Sequence, residues 1–397
     1  MTHEAQPPRA PDTYSRVDQL GFPLHRARSR AVGAIRPAQA VAVSPAEAVG
    51  SVLASDATAL VDLPPFDVAD DDGWAVAGPG PWRVAADQPP HAPLPDAMAT
   101  RIEVGGALPP NSTGVLPEWA GQSDPSHLAA RGAHPGHVEF GAHTRLRGAD
   151  AAAGTVLAVA GDRVSPICAG LAAAAGNDIL WVFPAPSVAL LLITDDVLEQ
   201  GLPTRGRMRD SVGPMVPGWI AQAGGRAFPT SRTPGVDLAA DVADSAADIV
   251  IVTGGTGTRS TLVRAATELA AEPIVSGVAV DPGGSMAMFL LPDGRPLIGV
   301  PGDPLGGIAS LVSLVLPVLE AMGGAIAPRG HLGRLVHTQR AGDRARLLPV
   351  TRSASGLAAT VGADSSPLRA LTLSDALAVI PAGGAVAGSE VEYLQLP

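Results

Sequence analysis

The sequence predicts an α/β multidomain protein: a parallel sheet with helices on both faces, preceded by a β-rich insertion and followed by a small all-β domain. Three observations carry that expectation. Val188–Ile193, Ile249–Val252 and Pro296–Val300 are short unbroken apolar runs, each followed by a polar or Gly-rich turn and a helical stretch. Strands apolar on both faces and alternating with helices describe a parallel sheet buried on both sides. From Asp56 to about Arg147, short apolar pairs sit between Pro and Gly, and beyond about Pro328 short strands are again split by Gly and Ser. A chain of 397 residues is long enough for roughly two to four domains.

In chain order, residues 1–15 read as a disordered tail, and Met1–Asp12 has no apolar signal core. Residues 16–55 and 146–180 are expected to form an N-terminal linking domain around an inserted β-rich domain of residues 56–145. The α/β domain is assigned to residues 181–327 and the last domain to residues 328–397. Arg16–Ile35 is an Arg-rich amphipathic helix interrupted by Gly21-Phe22-Pro23. Ser44-Pro45-Ala46-Glu47 starts a helix expected to reach about Leu53, with Ser44 as cap, Pro45 in the first turn and Glu47 closing the capping box. Trp82-Arg83-Val84 and Thr100–Val104 read as strands of the insertion, and Ala149–Ala175 as an Ala-rich helix with a short strand. Helices in the α/β domain fall at about Gly213–Ala223, Thr261–Ala271 and Leu305–Met322. The most membrane-like run, Leu305–Leu319, is shorter than a bilayer span and carries Pro317, so it reads as a buried helix.

All 27 basic residues are Arg. That excludes lysine Schiff-base and general-base chemistry, and leaves Arg or backbone N–H to grip an anion. The Ala/Gly/Arg/Pro-rich composition otherwise reads as genome bias. A net charge of −11 argues against a broad nucleic-acid surface but allows a small anionic ligand held by local dipoles. The single cysteine, Cys168, lies in the apolar Ile167–Ala175 stretch and is assigned to the core. Such sparing use of cysteine fits a reducing, cytoplasmic compartment. Neither a nucleic-acid partner nor a membrane is expected.

Five constellations are candidates for chemistry. Thr253-Gly254-Gly255-Thr256-Gly257 follows a buried strand and precedes a helix, where backbone can approach a ligand and helix N–H groups favour anions. Pro301-Gly302-Asp303-Pro304 is a second strand-to-helix turn, in which Asp303 is either a cap or a ligand contact. Arg209-Asp210-Ser211 precedes the helix near Gly213, and Asp210 or Ser211 is either its cap or, if the loops converge, a ligand contact. The Leu63–Val76 stretch carries Asp67, Asp70, Asp71 and Asp72 between apolar anchors Leu63, Phe66, Trp74 and Val76. It is either a solvated acidic turn or a hard-cation site for Mg²⁺. His127, His134, His137 and His143 crowd the insertion without helical spacing, which favours an exposed loop over a zinc site.

Together the motifs resemble the molybdopterin molybdenumtransferases, the family of MoeA and the gephyrin E domain. The likeness rests on Asp62–Asp67 followed by Asp72-Gly73-Trp74-Ala75-Val76, on Val252–Gly255, on Gly299–Pro304 and on Ser374–Pro381, in that order over roughly residues 41–395. It implies a homodimer, a molybdopterin-binding-type α/β domain and a C-terminal β-barrel. It also implies the reaction: molybdate joins the dithiolene of adenylylated molybdopterin and AMP leaves, with Mg²⁺ assisting. Further cofactor-biosynthesis proteins are possible partners. The resemblance gives Asp72, Asp150 and Asp210 catalytic roles and Asp72 and Asp196 roles as metal ligands. It places Ser211, Thr253, Gly254, Gly255, Thr256, Gly257, Pro301, Gly302, Asp303 and Pro304 around the cofactor. Two other readings stay open: a catalytically impaired carrier of molybdopterin or the finished cofactor, and a generic nucleotide-binding protein.

The chain departs from the family pattern in several places. Val197 in Asp195-Asp196-Val197 replaces an acid, as does Ala149 in Arg147–Asp150. Thr258–Leu262 lacks the acidic segment that follows the Gly-Gly turn in the family. Ala69-Asp70-Asp71 stands where the family has Ser-Ala-Met, and Asp281-Pro282-Gly283-Gly284-Ser285 replaces a loop with two lysines. Loss of a carboxylate acting on metal or phosphate slows turnover by orders of magnitude, so fold and ligand class are the firmer expectations.

Overall fold

The apolar runs form neighbouring parallel strands, Ser187–Ile193, Ile249–Thr253 and Pro296–Val300. Val188 faces Ile249 across the first pair, and Val250 faces Leu297 across the second. Every residue of the latter two strands is buried because helices cover both faces. Leu190, Leu192, Ile249, Ile251 and Ile298 join one core with helices Leu24–Gly33, Val212–Gln222 and Pro304–Met322. Leu191, Val250, Val252 and Leu297 alternate to the other face, against Leu238–Asp244 and Thr261–Glu268. The computed structural model describes residues 21–85, 88–89, 92–124, 126–131, 137–193, 197–203, 206–254, 256, 260–325, 330–364 and 367–396. The 1–15 tail therefore lies outside the described residues, as do residues 16–20 of the first expected helix.

The described chain forms two compact units, one up to Val41 and from Phe183 onward, the other from Ala42 to Val182. Residues 24–33 were expected with the linking segment 146–180. They pack on the α/β core instead, because Leu24, Ala27 and Ala31 make an apolar stripe that buries there.

The sheet has seven strands and is not parallel throughout. Ala287–Leu290 and Glu272–Ser276 run antiparallel at one edge. The reason is local: Leu291 and Arg295 close a tight turn around Gly294, so Ala287–Leu290 enters Pro296–Val300 as a hairpin rather than a crossover. The Pro304–Met322 helix is 19 residues long and apolar enough to cross a membrane by length and composition, which corrects the view that the run is too short. It is nonetheless a core helix, almost wholly buried, with a π-helical stretch at Leu311–Val315.

The C-terminal strands form a nearly closed barrel. Ala345–Ser353 pairs with Gly356–Ala359 on one side and Ala376–Ile380 on the other, and Glu390–Gln395 and His331–Arg334 continue the sheet. A bridge from Leu335 to Leu357, with Val336 N–H donating to the Leu357 carbonyl at 3.0 Å, brings the last strand back to Gly356–Ala359. Val280–Asp281, from the α/β region, pairs with Ala345–Arg346 and ties the barrel to it.

In the second unit a six-stranded sheet includes Gly73–Val76, Met98–Ile102 and Trp82–Val84, so the insertion is β-rich as expected. The Ser44 capping box forms, with Glu47 N–H bonded to the Ser44 hydroxyl and the Glu47 carboxylate to the Ser44 N–H. Its helix, however, spans only Pro45–Ala48. Val49 is extended, Gly50 has φ +86°, and Val52–Leu53 joins a three-stranded sheet, so tertiary pairing overrides the helix expected to Leu53.

Asp62 fastens the turn that follows. Its carboxylate accepts from Ala153 N–H at 2.8 Å and from the Arg147 side chain. The Ala153 bond first, then Arg147, holds its pKa below the ordinary carboxylate value. A depressed folded-state pKa gives stability that is complete above the unfolded value of about 3.9 and is lost as pH falls through the folded value. Asp62→Asn is therefore expected to unfold with a flatter pH dependence below about pH 4 than the parent, measured by denaturant titration. Parallel curves would remove the linkage.

Candidate functional site

The Gly-rich turn leaves the carboxyl end of Ile249–Thr253 and the Pro-rich turn leaves that of Pro296–Val300, its parallel neighbour. Gly254 has φ +85°, a left-handed conformation that costs a branched residue strain, and its N–H donates to the Val300 carbonyl at 2.9 Å. The two turns touch: a Cβ built on Gly302 would lie 3.4 Å from Gly254 Cα. Thr256 Oγ1 sits 2.9 Å from Ser285 Oγ, which brings the 281–285 loop to the same mouth. The described candidates Thr253, Gly254, Thr256, Pro301, Gly302, Asp303 and Pro304 thus occupy adjacent turns in one unit. Gly255, Gly257 and Asp196 lie outside the described residues.

Asp210 and Ser211 stand at the start of Val212–Gln222, beyond the carboxyl end of Ser187–Ile193. Asp210 supplies the cap, accepting from Val212 N–H at 3.0 Å and Gly213 N–H at 2.9 Å. Its other oxygen lies 3.4 Å from Arg232, which is also 3.8 Å from Glu199. These residues line a cavity of about 230 Å³ with Arg209 and Thr230. The chain leaves Ser187–Ile193 for strands on one side of it and then crosses to Ile249–Thr253 on the other. Such a reversal opens a crevice at the strand ends, where open α/β sheets bind ligands.

Asp303 is a cap in fact, accepting from Gly306 N–H at 2.7 Å. Asp303→Ala is expected to cost about 1 kcal/mol of stability, and Asp303→Ser to restore most of it. If Asp303 also touches ligand, the serine variant folds normally yet binds more weakly. Full binding by the serine variant leaves the cap as its whole role.

In the other unit the acidic loop is held rather than loose. Asp67 accepts from Arg147 N–H, Asp71 contacts His143 Nδ1, and Asp72 accepts from Val104 N–H, each at 2.7 Å. Asp72 is exposed and precedes Gly73–Val76. Gly73 is required there, since a Cβ would fall 2.1 Å from the Leu116 carbonyl oxygen. Asp150 is exposed and ion-paired with Arg145. His127 and His143 lie apart in role, the first beside Asp124 and the second on Asp71; His134 lies outside the described residues. Among the described residues no three His, Cys, Asp or Glu side chains gather as a metal cage. Cys168, on helix Pro166–Ala174, is half-buried at the edge of the core rather than within it, and burial first, then Asp162, raises its pKa, which lowers its thiolate fraction.

Sequence reasoning named Ser285 only as part of the departing 281–285 loop and did not single out Thr230, Arg232 or Arg344. Arg344 Nη1 lies 3.3 Å from where a Gly284 Cβ would stand, so the residue just before the barrel strand Ala345–Ser353 brings a cation to the 281–285 loop. Only the pairing of Val280–Asp281 with Ala345–Arg346 reveals this, and no spacing in the sequence encodes it.

Comparison with known proteins gives three matches in chain order. Residues 22–176 match the "MoeA N-terminal region (domain I and II)", residues 157–321 the "Probable molybdopterin binding domain", and residues 335–396 the "MoeA C-terminal region (domain IV)". Molybdopterin molybdenumtransferase 2 of Mycobacterium tuberculosis is 27% identical over 323 residues, covering 73% of this chain and 77% of that protein. A molybdopterin molybdenumtransferase of Staphylococcus aureus is 26% identical over 333 residues, covering 77% of each. The crystal structure of the molybdopterin biosynthesis MoeA protein from Pyrococcus horikoshii OT3 has a TM-score of 0.73 at 19% identity, covering 94% of this chain and 100% of that one. Another crystal structure of a molybdopterin biosynthesis MoeA protein from Pyrococcus horikoshii gives a TM-score of 0.72 at 24% identity, covering 94% of this chain and 99% of that one.

Proposed function

Because the chain belongs to the MoeA family, we propose that it is a molybdopterin molybdenumtransferase, inserting molybdate into adenylylated molybdopterin with release of AMP during molybdenum cofactor biosynthesis. The observation that carries this reading is the meeting of the Gly254 and Gly302 turns at the carboxyl ends of adjacent parallel strands. That mouth presents backbone and hydroxyls rather than lysines. It suits a ligand whose phosphates are held by N–H groups, with Arg344 the nearby cation. Thr253, Gly254, Gly255, Thr256, Gly257, Pro301, Gly302 and Ser211 are the contacts we assign to it. Asp210 holds the helix start and orients Arg232, while Asp72 and Asp150 act as the reaction's exposed carboxylates.

The donor set fits Mg²⁺ only as an ion shared with substrate. Mg²⁺ retains waters and is bound by one or two carboxylates plus phosphate oxygens. Asp72, with one oxygen fixed by Val104 N–H, offers one such carboxylate, and Asp196, which lies outside the described residues, is kept as a proposed ligand. When bound, the ion would neutralise phosphate charge beside these acids. Asp72's own task is to hold its carboxylate toward the substrate from a strand start that the Val104 bond keeps rigid.

AMP release is the test. Purified chain given adenylylated molybdopterin, molybdate and Mg²⁺ is expected to release AMP in a molybdate-dependent manner, and none above a protein-free blank contradicts the assignment. The departures at Val197 and Asp281–Ser285 favour a second reading, a carrier that binds molybdopterin without turnover. Binding by calorimetry without AMP release selects it.

We also propose a homodimer working in the cytoplasm. Exposed Ile167 and Leu171 share one stripe of Pro166–Ala174, and exposed Ile179 and Trp181 flank Leu180 on one strand face. Such apolar surface is characteristic of interfaces. Light scattering should give twice the chain mass, and Ile167→Asp with Trp181→Asp should halve it. A monomeric parent removes the dimer.

A further inference from the structure

Trp119 is 70% exposed, whereas Trp74 and Trp82, in the same unit, are 7% and 0% exposed. Its ring therefore contributes little to the core, and its placement needs another account. Three hydrogen bonds link the acidic loop to the segments that carry Trp119 and His143. Glu118 N–H donates to the Asp72 carbonyl at 2.9 Å, one residue before Trp119. Asp70 N–H donates to the His143 carbonyl at 2.9 Å, and the His143 ring contacts the Asp71 carboxylate at 2.7 Å. His143 is held there with φ +52°. The two rings stand nearly perpendicular, 80° apart with centroids at 6.2 Å, so His143 buttresses Trp119 without covering it by stacking.

We propose that Trp119 is the stacking platform for a planar heteroaromatic ring of the substrate, a role that rests on the transferase reading above. The neighbourhood suits a ring that lies next to a metal-bound phosphate. Asp72 is kept for that phosphate end through Mg²⁺, Asp70 and Asp71 accept hydrogen bonds from ring amino and N–H groups, and an aromatic face beside them takes the ring plane. Adenylylated molybdopterin carries two rings of this chemistry, adenine and pterin. Stacking on a single aromatic side chain changes affinity by about 10-fold or more when that side chain is removed.

The experiment is a tryptophan-emission titration of the full chain with AMP and, separately, with molybdopterin, on the parent, Trp119→Phe, Trp119→Ala and Trp119→Gln. The parent is expected to quench with at least one ligand, and Trp119→Phe to lose most of that quench while keeping the affinity measured by calorimetry. Trp119→Ala and Trp119→Gln are expected to bind about 10-fold more weakly, with unfolding midpoints near the parent's because the ring is exposed. Quenching by AMP alone assigns adenine to the platform, and quenching by molybdopterin alone assigns the pterin. Equal affinity in the parent and whichever of the two variants folds overturns the proposal. A parent that quenches normally but releases no AMP leaves the platform standing and removes the transferase reading instead.

Discussion

Asp72→Asn is expected to slow AMP release by about 1,000-fold while leaving the fold unchanged. The carboxylate has two jobs that this substitution separates. One oxygen accepts from Val104 N–H at 2.7 Å, and an amide oxygen accepts equally well. What the amide loses is the negative charge offered to Mg²⁺ and the reacting phosphate, and removal of one well-aimed electrostatic contact costs about 100- to 1,000-fold in turnover. Asp72→Ala should be as slow and also slightly less stable, since it leaves the Val104 N–H to water; that group is near the surface, so the penalty is small. Steady-state AMP release and urea unfolding on both variants decide it. If Asp72→Asn turns over at a tenth of the parent rate or faster, Asp72 is a structural residue of the loop and the acid lies elsewhere.

Gly254→Val is expected to have the second-largest effect, and on two readouts at once. The position has φ +85°, and holding a β-branched residue there costs about 1–3 kcal/mol of stability. Space is not the problem, because the nearest atom to an added Cβ is Ile193 Cβ at 3.9 Å. The strain is relieved only by turning the backbone, which would break the Gly254 N–H bond to the Val300 carbonyl and part the turn from Gly302. Affinity for adenylylated molybdopterin should therefore fall by about 10-fold or more, the worth of one or two lost hydrogen bonds to an anion. Gly254→Asn is the control, since asparagine visits this region at small cost. It should retain most of both stability and affinity. Equal binding by the valine and asparagine variants would separate the turn's backbone from the ligand.

Much of the fold was legible because burial on both faces leaves a plain mark. Ile249–Val252 and Pro296–Val300 are apolar at every position and too short for a helix, which fits a doubly covered strand. Caps were legible too: Ser44, Asp303 and Asp210 carry side chains whose oxygens reach N–H groups two or three residues ahead, which is a local geometry. Non-local pairing was not. The short Pro45–Ala48 helix depends on the pairing of Val52–Leu53 with a strand some 130 residues later in the chain. The same limit applies to the site. Turn residues declare themselves by glycine and proline, whereas Ser285 reaches Thr256 and Arg344 reaches Gly284 only through folding, and no pattern around Trp119 marks its ring as exposed.

The measurement closest to the central claim is amide hydrogen exchange of the full chain with and without adenylylated molybdopterin. The mouth formed by the Gly254 and Gly302 turns should gain protection on binding, at Gly254, Thr256 and Gly302 above all, with the sheet interior unchanged. Saturating ligand that leaves those amides exchanging at their free rates, or that protects only the barrel, would contradict the account.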